Sequence, residues 1–313
     1  MNDMSSLIEQ AAHRLEQLRR AGVMVPEMAN VSVPAVDPIW SNVDLAAAVQ
    51  PTPSLQPDKP GVLSRHVELD LEALAAAGIV TPNAPRSHTA DQYRVIKRPL
   101  ISNAMGKGAS ILNHGNLIMV TSAIAGEGKS YTSVNLAMSI AAELDNTVML
   151  VDADVARPSV LRMLGLPPGP GLLDLLEGKA DMAGVLLKTS IDKLTILPSG
   201  TPHARATELL ASDAMRVLLD DMAKRYPDRI IIFDSPPLLL TTESRVLAAQ
   251  MGQIVMVVQA ESTLRADVQL ALSMIENCPV RLMLLNKAHA DSATGYGLGY
   301  GYGYGYGYEQ PTT

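Results

Sequence analysis

Residues 117–132 limit the possible folds of this chain more than any other stretch. An apolar, β-prone segment (117–120) runs into a short loop that contains glycine, and a helical pattern follows. The loop reads Ala123, four residues and then Gly-Lys-Ser at 128–130, so alanine stands where the phosphate-loop pattern normally begins with glycine. Glycine lets the backbone turn its N–H groups toward phosphate oxygens, and the helix start adds the positive end of its dipole. The stretch therefore predicts a site for nucleotide phosphates.

The residue types of this loop predict ATP with Mg²⁺ as the ligand. Lys129 can reach the β and γ phosphates, and Ser130 can offer its hydroxyl to Mg²⁺. Asn286, which follows the last apolar segment, is predicted to lie near the adenine. The residues predicted to contact the nucleotide are Ala125, Gly126, Glu127, Gly128, Lys129, Ser130, Tyr131 and Asn286.

Apolar segments alternate with helical patterns between residues 116 and 286. The segments are almost continuously apolar, as expected for strands that are buried on both faces. The predicted strands are Leu117–Thr121, Thr147–Val151, Leu194–Leu197, Ile230–Phe233, Ile254–Val258 and Arg281–Leu285. Among the predicted helices are Lys129–Glu143, Ala206–Arg225 and Thr263–Glu276. The alternation predicts an α/β P-loop NTPase fold, with a mostly parallel central sheet flanked by helices on both faces.

Carboxylates follow two of these predicted strands. Asp152 and Asp154 stand two residues apart just after Val151, and Asp234 follows four apolar residues. Ligands of such folds bind where the strands end, so the three carboxylates and Lys129 are expected to meet at one catalytic site. Of the two carboxylates after Val151, one can bind Mg²⁺ while the other accepts a proton from an attacking hydroxyl. Each aspartate alone could instead cap a helix or form a turn.

Charge and cysteine content restrict the class of protein. The formal net charge is −7 and no basic stripe is present, which argues against a nucleic-acid partner. Cys278 is the only cysteine, so no disulfide within the chain is expected, and a reducing, cytoplasmic setting fits. We see neither a signal-peptide pattern nor an apolar run near the roughly 18 residues of a membrane-spanning helix. We therefore expect a soluble protein.

The sequence divides into four predicted parts. Residues 1–22 are predicted to form an amphipathic helix, which either packs on its own domain or docks on a partner. Residues 23–88 are rich in proline and alanine and are predicted to be an extended linker. Residues 89–290 hold the predicted P-loop domain, and residues 291–313 form a flexible Gly/Tyr-rich tail.

Several motifs resemble the bacterial tyrosine kinases (BY-kinases) of exopolysaccharide export. These are the DxDxxR pattern at 152–157, the Asp-Ser-Pro-Pro run at 234–237 and the tyrosine-rich tail. The runs at 93–100 and 207–212, with the N-terminal Leu-Glu helix, further resemble the exosortase (XrtA)-associated tyrosine autokinases. The resemblance implies a P-loop protein-tyrosine kinase that phosphorylates itself.

The resemblance also implies roles for individual residues. Lys129 would contact the phosphates, Ser130 and Asp154 would lie at Mg²⁺, Asp152 would act as the base toward tyrosine, and Asp234 would hold Mg²⁺ through water. Related kinases form rings through a Glu-x-x-Arg-x-x-Arg helix. The corresponding residues here are Asp91, Arg94 and Lys97, so a homo-oligomeric ring is expected.

The tail supplies the predicted phosphoacceptors. Six of the nine tyrosines lie in a Gly/Tyr alternation near the C-terminus, where several hydroxyls could reach an active site. A period of two also fits an edge strand, and tyrosine-rich segments can self-associate. Because a tail enters a neighbour's site more easily than its own, phosphorylation between subunits is expected. The predicted acceptors are Tyr296, Tyr300, Tyr302, Tyr304, Tyr306 and Tyr308.

The resemblance also implies partners and a location. The expected partners are a membrane polysaccharide co-polymerase that activates the kinase and a cognate tyrosine phosphatase. Through the co-polymerase, a cytoplasmic chain would lie at the inner membrane. The main alternative is a partition or cell-division type ATPase, a nucleotide switch without kinase activity. Those proteins carry an extra lysine early in the loop, where this chain has Ile124. A scaffold with a vestigial site is a further alternative, against which the intact loop and carboxylates argue.

Overall fold

The computed structural model describes residues 64–82, 87–108, 111–225 and 228–288. These residues form one mixed sheet of eight strands. The strands are β1 (Arg65–Val67), β2 (Leu117–Ser122), β3 (Thr147–Asp152), β4 (Leu187–Thr189), β5 (Leu194–Leu197), β6 (Arg229–Asp234), β7 (Gln253–Gln259) and β8 (Val280–Asn286).

Helices connect the strands and cover both faces of the sheet. In the described ranges they are α1 (Leu71–Ala76), α2 (His88–Ala104), α3 (Lys129–Ala141), α4 (Val160–Met163), α5 (Leu172–Leu176), α6 (Met182–Val185), α7 (Ala206–Leu210), α8 (Asp213–Arg225), α9 (Glu243–Ala248) and α10 (Arg265–Ser273). Within those ranges, every helix is too short or too polar to cross a lipid bilayer.

The strand order places the phosphate loop at the centre of the sheet. The order is β1-β4-β5-β3-β6-β2-β7-β8, and every pair is parallel except β4 with β5. Strand β2, which leads into the loop, lies between β6 and β7 and is buried along its whole length. The carboxyl ends of β2, β3 and β6 therefore meet at one edge, as the sequence predicted.

Alternate residues of the central strands face two separate hydrophobic layers. Leu117 and Met119 of β2 pack with α5, α8 and α9 on one face of the sheet. Ile118 and Val120 pack with α1, α2 and α3 on the other face. The side-chain period of two in a strand explains this division, and burial on both faces explains why the strands read as continuous apolar runs.

All six predicted strands and the parallel sheet are confirmed, but two predictions need correction. The predicted linker, residues 23–88, contains β1 and α1, and Leu69, Leu74 and Ile79 are buried in the core. The packed domain therefore begins by residue 65 and not at residue 89. The predicted helix Ala206–Arg225 is two helices, because Ser212 lies between them and its hydroxyl accepts from the amide of Met215.

Lys97 on α2 also differs from the expectation of an exposed, ring-forming charge. Its side chain is buried, and its ammonium group lies 2.6 Å from a carboxylate oxygen of Glu143. Asp91 and Arg94 are exposed and pair with each other along the helix. The expected ring motif therefore keeps two of its three charges on the surface.

The remaining predicted segments lie outside the described residues. These are the helix at 1–22 and the tail at 291–313, including Tyr296, Tyr300, Tyr302, Tyr304, Tyr306 and Tyr308.

Candidate active site

The loop between β2 and α3 has the backbone of an anion-binding site. Gly126 and Gly128 adopt φ angles of 88° and 97°, a region that residues with a Cβ rarely occupy. Gly128 is the N-cap of α3, and no side chain caps this helix start. The first amide groups of a 13-residue helix, with the positive end of its dipole, therefore remain available to a ligand.

Neighbouring strand ends hold the loop in this conformation. Glu127 is buried, and its carboxylate accepts from the amides of Ile124 (2.8 Å) and Gln259 (3.2 Å) and from the hydroxyl of Thr263. The Asn286 amide donates to the carbonyl of Glu127 (2.9 Å) and lies directly over the Cα of Gly128. A side chain at position 128 would collide with Asn286, which is a second reason for glycine there.

A cavity of about 760 Å³ lies in front of the loop. Lys129, Ser130 and Asp154 line it, as predicted, and so do Ala125, Gly126, Gly128 and Tyr131. Glu127 and Asn286 do not, because their side chains hold the loop instead. Three basic side chains also line the cavity, and their cationic groups suit a triphosphate: Arg157, Arg162 and Lys287.

Lys129 is held at the mouth of this cavity by a carboxylate. Its ammonium group lies 2.8 Å from Asp154 Oδ2, and both side chains are largely buried. Asp154 Oδ1 accepts from the amide of Arg157 (3.2 Å), which fixes the carboxylate. The pair places one cation and one carboxylate where a magnesium nucleotide needs them.

Asp152 and Asp234 lie side by side behind the loop, at paired positions of β3 and β6. Asp152 Oδ2 accepts from the amides of Ser159 and Val160, both at 3.0 Å, at the start of α4. Asp234 Oδ1 accepts from the hydroxyl of Ser133 (3.1 Å). Both carboxylates are buried and neither lines the 760 Å³ cavity, so they lie behind its surface.

Burial and mutual repulsion favour the protonated forms of this pair. Burial, reinforced by the charge of Asp234, raises the pKa of Asp152 to about 7. Burial also raises the pKa of Asp234 to about 6, because the positive charge of Lys129 offsets it only in part. Asp152 can therefore exchange a proton near neutral pH.

Three buried oxygens at this place have no hydrogen-bond partner within the described part of the chain. They are Asp152 Oδ1, Ser159 Oγ and Asp234 Oδ2. An unsatisfied buried polar group calls for an explanation, and a bound hydroxyl, water or hydrated cation would supply the missing partners. The described residues contain no group of three or more His, Cys, Asp or Glu that could hold a metal ion. A magnesium ion here would thus depend on phosphate oxygens and water for the rest of its ligands.

Sequence reasoning missed several residues of the site. Ser133 lies one helical turn after Ser130, and this spacing was the available signal. Gln259 at the end of β7 and Thr263, four residues later, reach the loop, and Arg162 reaches the cavity from α4. No local pattern marks these three, because only the packed sheet brings them to the loop.

Comparison with known proteins finds the same P-loop fold and, within it, matches to tyrosine-protein kinases. A family model described as "ParA: NUBPL iron-transfer P-loop NTPase" matches residues 113–286, more than half of the chain. The tyrosine-protein kinase CpsD of Streptococcus agalactiae is 33% identical over 182 residues, which cover 57% of this chain and 78% of CpsD. The crystal structure of the chimerical protein CapA2B2 superposes with a TM-score of 0.55 at 26% identity, covering 71% of this chain and 93% of that one.

Some relatives are much longer than this chain. The tyrosine-protein kinase Ptk of Acinetobacter johnsonii is 33% identical over 183 residues, which are 58% of this chain and only 24% of Ptk. This chain therefore matches only about a quarter of the length of Ptk. The loop, the carboxylate pair, the parallel sheet and these matches together support one conclusion: the chain belongs to the bacterial tyrosine-protein kinase family of ParA-type P-loop NTPases.

Proposed function

We propose that this protein is an ATP-dependent tyrosine autokinase that uses Mg²⁺ and phosphorylates tyrosines of its own C-terminal tail. The observation that carries the proposal is the meeting of Lys129, Ser130 and Asp154 on one cavity, with Asp152 and Asp234 directly behind it. Its relatives are named as tyrosine-protein kinases, and the formal net charge of −7 argues against a nucleic-acid substrate.

Each side chain has a definable task in this reaction. The free amides of α3 bind the phosphates of ATP, and Lys129 exchanges Asp154 for phosphate oxygens. Ser130 and Asp154 would hold Mg²⁺, with Asp234 as a further carboxylate near it. When bound, the ion neutralises charge on the phosphates. Asp152 accepts the phenolic proton as the phenolic oxygen bonds to the γ-phosphorus, while the bond from that phosphorus to the bridging oxygen breaks and ADP leaves.

The proposed acceptors are Tyr296, Tyr300, Tyr302, Tyr304, Tyr306 and Tyr308, presented to a neighbouring subunit. Each phosphate adds about −1.5 to −2 charges, so several on adjacent tails repel one another. We propose that this repulsion dissociates a homo-oligomer, which a cognate phosphatase then allows to reassemble.

The biological setting is part of the proposal. We propose a role in exopolysaccharide polymerisation and export, with a membrane polysaccharide co-polymerase as the activating partner at the inner membrane. The narrower resemblance to the exosortase-associated autokinases stays a prediction.

The alternative function, an ATPase switch of the partition type, is less well supported. Ile124 stands where those proteins place a lysine that reaches across a dimer, and its side chain packs against the hydrophobic core. Isoleucine also has no cationic group with which to contact a nucleotide in another subunit.

The test measures phosphorylation of one full-length chain by another. The Lys129→Met chain lacks the ammonium group that contacts the phosphates and should lose self-labelling by about 10²-fold or more. Mixed with wild type, Mg²⁺ and ATP, it should nevertheless acquire phosphotyrosine on its intact tail. The control is Lys179→Met, because Lys179 is exposed and pairs only with Glu177 in the described structure. Phosphate on serine or threonine alone, or ATP hydrolysis without any transfer, would refute the kinase proposal.

A further inference from the structure

Strand β8 forms one edge of the sheet. It stands last in the strand order and pairs in parallel with β7, and no strand covers its other side within the described residues. An edge strand presents backbone N–H and C=O groups to any further strand, and proteins usually block such an edge with proline or several charges. β8 has no proline, and Arg281 is its only charged residue. This edge is therefore open to pairing.

An apolar cavity of about 640 Å³ lies between β8 and α2, and we call it the edge cavity. Leu282 and Leu284 of the strand line it, and so do Val95, Ile96 and Pro99 of the helix. Val95 is 74% exposed, so this part of the cavity surface is in contact with solvent. A strand added to β8 would direct every second side chain toward the face of the sheet on which this cavity lies.

The C-terminal tail has the side-chain pattern of a strand that buries only one face. From residue 295 to residue 308, glycine occupies every odd position, and every even position is tyrosine except Leu298. Because side chains alternate in a strand, all the large side chains of this segment would lie on one face. Glycine weakens an isolated strand, so a strand of this composition needs pairing and burial from its surroundings. The open edge of β8, beside an apolar cavity, offers both.

The tail also follows β8 closely enough in sequence to reach this edge. β8 ends at Asn286, and the alternating segment begins at residue 295. A short connection joins antiparallel neighbours, so the tail would run back along β8 as in a hairpin. Lys287, at the start of the connection, has a positive φ of 57°, and its ammonium group donates to the carbonyl of Gly126 (2.7 Å). The connection therefore starts next to the phosphate loop as well as next to the open edge.

We propose that the unphosphorylated tail binds β8 of its own chain as an additional antiparallel strand, with tyrosine rings in the edge cavity. The rings pack against the leucines of β8 and against Val95, and their hydroxyls hydrogen-bond to Thr89 and Gln92, which also line the cavity. This inference goes beyond the proposed kinase function, because the docking needs neither ATP nor phosphoryl transfer.

Docking of the tail would control when its tyrosines are available. A tyrosine in the edge cavity is withheld from any active site, so the tail must leave β8 before it is phosphorylated. A phosphorylated tyrosine carries about −1.5 to −2 charges, and an apolar cavity strongly disfavours such a charge. Phosphorylation would therefore prevent the tail from docking again.

Two variants separate the docking from the fold. Val95→Glu places a charge in the edge cavity at an exposed position of α2. Tyr302→Asp/Tyr304→Asp places two charges on the tyrosine face of the tail, which follows the packed domain in sequence. The control is Val217→Glu, because Val217 is also an exposed helical valine (60%) and lies outside the edge cavity.

The experiment measures hydrogen exchange of the tail amides in full-length, nucleotide-free protein. A dilute synthetic peptide of residues 290–313 gives the unprotected rate. In wild type, the amides between residues 299 and 308 should exchange at least about tenfold more slowly than in the peptide, at every protein concentration. Val95→Glu and Tyr302→Asp/Tyr304→Asp should restore the peptide's rate, and Val217→Glu should equal wild type. The affinity for ADP with Mg²⁺ shows that each variant is folded.

Three results would overturn the inference. The first is a wild-type tail that exchanges as fast as the peptide. The second is protection that disappears on dilution, which would indicate pairing between chains. The third is protection that persists in Tyr302→Asp/Tyr304→Asp or in a Val95→Glu chain that binds ADP. If Val95→Glu does not bind ADP, the tail variant decides. Because exchange is measured without nucleotide, a lack of kinase activity would refute the proposed function and leave this inference standing.

Discussion

Asp152 is the residue on which the proposed chemistry depends most. It is buried, it is held by the amides of Ser159 and Val160, and it keeps one oxygen free of any partner in the described chain. A carboxylate in this setting serves as an acid–base group better than as a structural one, because a structural role would satisfy both oxygens.

Replacing Asp152 by asparagine should separate transfer from nucleotide binding. Asparagine keeps an oxygen for the two amides but cannot accept a proton, so tyrosine transfer should fall by about 10²- to 10⁴-fold. The affinity for ADP should stay near that of wild type, as measured by calorimetry. Asp192→Asn, at an exposed aspartate, is the control and should leave both quantities unchanged. Full activity of the Asp152→Asn chain would exclude Asp152 as the base.

The same substitution should change how stability depends on pH. Because the pKa of Asp152 rises from 3.8 to about 7 on folding, the folded protein keeps a proton that the unfolded chain releases. Wild type therefore loses stability as pH rises from about 4 to about 7, and the asparagine variant lacks this loss. In nucleotide-free protein, the variant's advantage in unfolding free energy should grow over that range and level off above it. An advantage that shrinks with rising pH would contradict the raised pKa.

The sequence predicted the elements of this fold well where burial dictates composition. Strands β2, β3, β6 and β7 are buried on both faces and had to be apolar throughout, so their runs were recognisable. Strands β1 and β4 have three residues each and contain arginine, histidine or lysine, so they carry no such signal. Pairing within the sheet, and not local preference, makes them strands.

Functional side chains were predictable to the extent that they follow strand ends in sequence. Lys129, Asp152, Asp154 and Asp234 do so, and the structure brings them together. The inward orientation of Glu127 and the contact of Asn286 with the loop were not predictable, because both depend on the ends of β7 and β8. A residue within a binding motif can thus stabilise the conformation of the loop without contacting the ligand.

An ion pair fastens helix α2 to the end of helix α3, and the lysine of this pair is buried. Lys97 is 3% exposed and contacts Glu143, whose pKa is affected by burial but is lowered on balance by Lys97 and Arg98. Removing one partner of such a pair leaves the other buried and unpaired. The pair therefore fixes the position of α2 beside the loop helix α3.

A Glu143→Gln substitution should destabilise the protein in a pH-dependent way. At pH 7 the loss should be about 2 kcal/mol, below the largest effects of this kind because the glutamate side chain is 22% exposed. A lowered pKa stabilises the fold fully above the ordinary value of 4.5, and this contribution is lost as pH falls through the lowered pKa, so the two proteins should converge at strongly acidic pH. Urea unfolding of both proteins at several pH values measures this difference in the free energy of unfolding.

Arg98→Ala is the matched control for that experiment. Arg98 contacts the same glutamate but is 66% exposed, so its loss should change the free energy of unfolding by less than about 1 kcal/mol. A difference between wild type and Glu143→Gln that does not shrink as pH falls below 4.5 would show that packing, and not the ion pair, is responsible.

Along the chain, the candidate active site and the predicted phosphoacceptor tyrosines lie in different regions. The packed domain runs from residue 65 to the end of β8, and the predicted acceptors follow it in sequence. The domain boundary was predicted too late because seven prolines between residues 26 and 60 suggested a linker that would extend to residue 88. The strand and helix that follow residue 64 lack prolines, and this change in composition was the better signal.

Mapping of phosphorylated residues by mass spectrometry is the direct test of whether the protein phosphorylates the tyrosines of its own tail. Full-length wild-type protein would be incubated with Mg²⁺ and ATP, beside the Lys129→Met chain, and the occupancy of every tyrosine, serine and threonine measured. We expect phosphate on tyrosines between Tyr296 and Tyr308 in wild type and none in the variant alone. Phosphate confined to Tyr93, Tyr131 or Tyr226, or to serine and threonine, would contradict it.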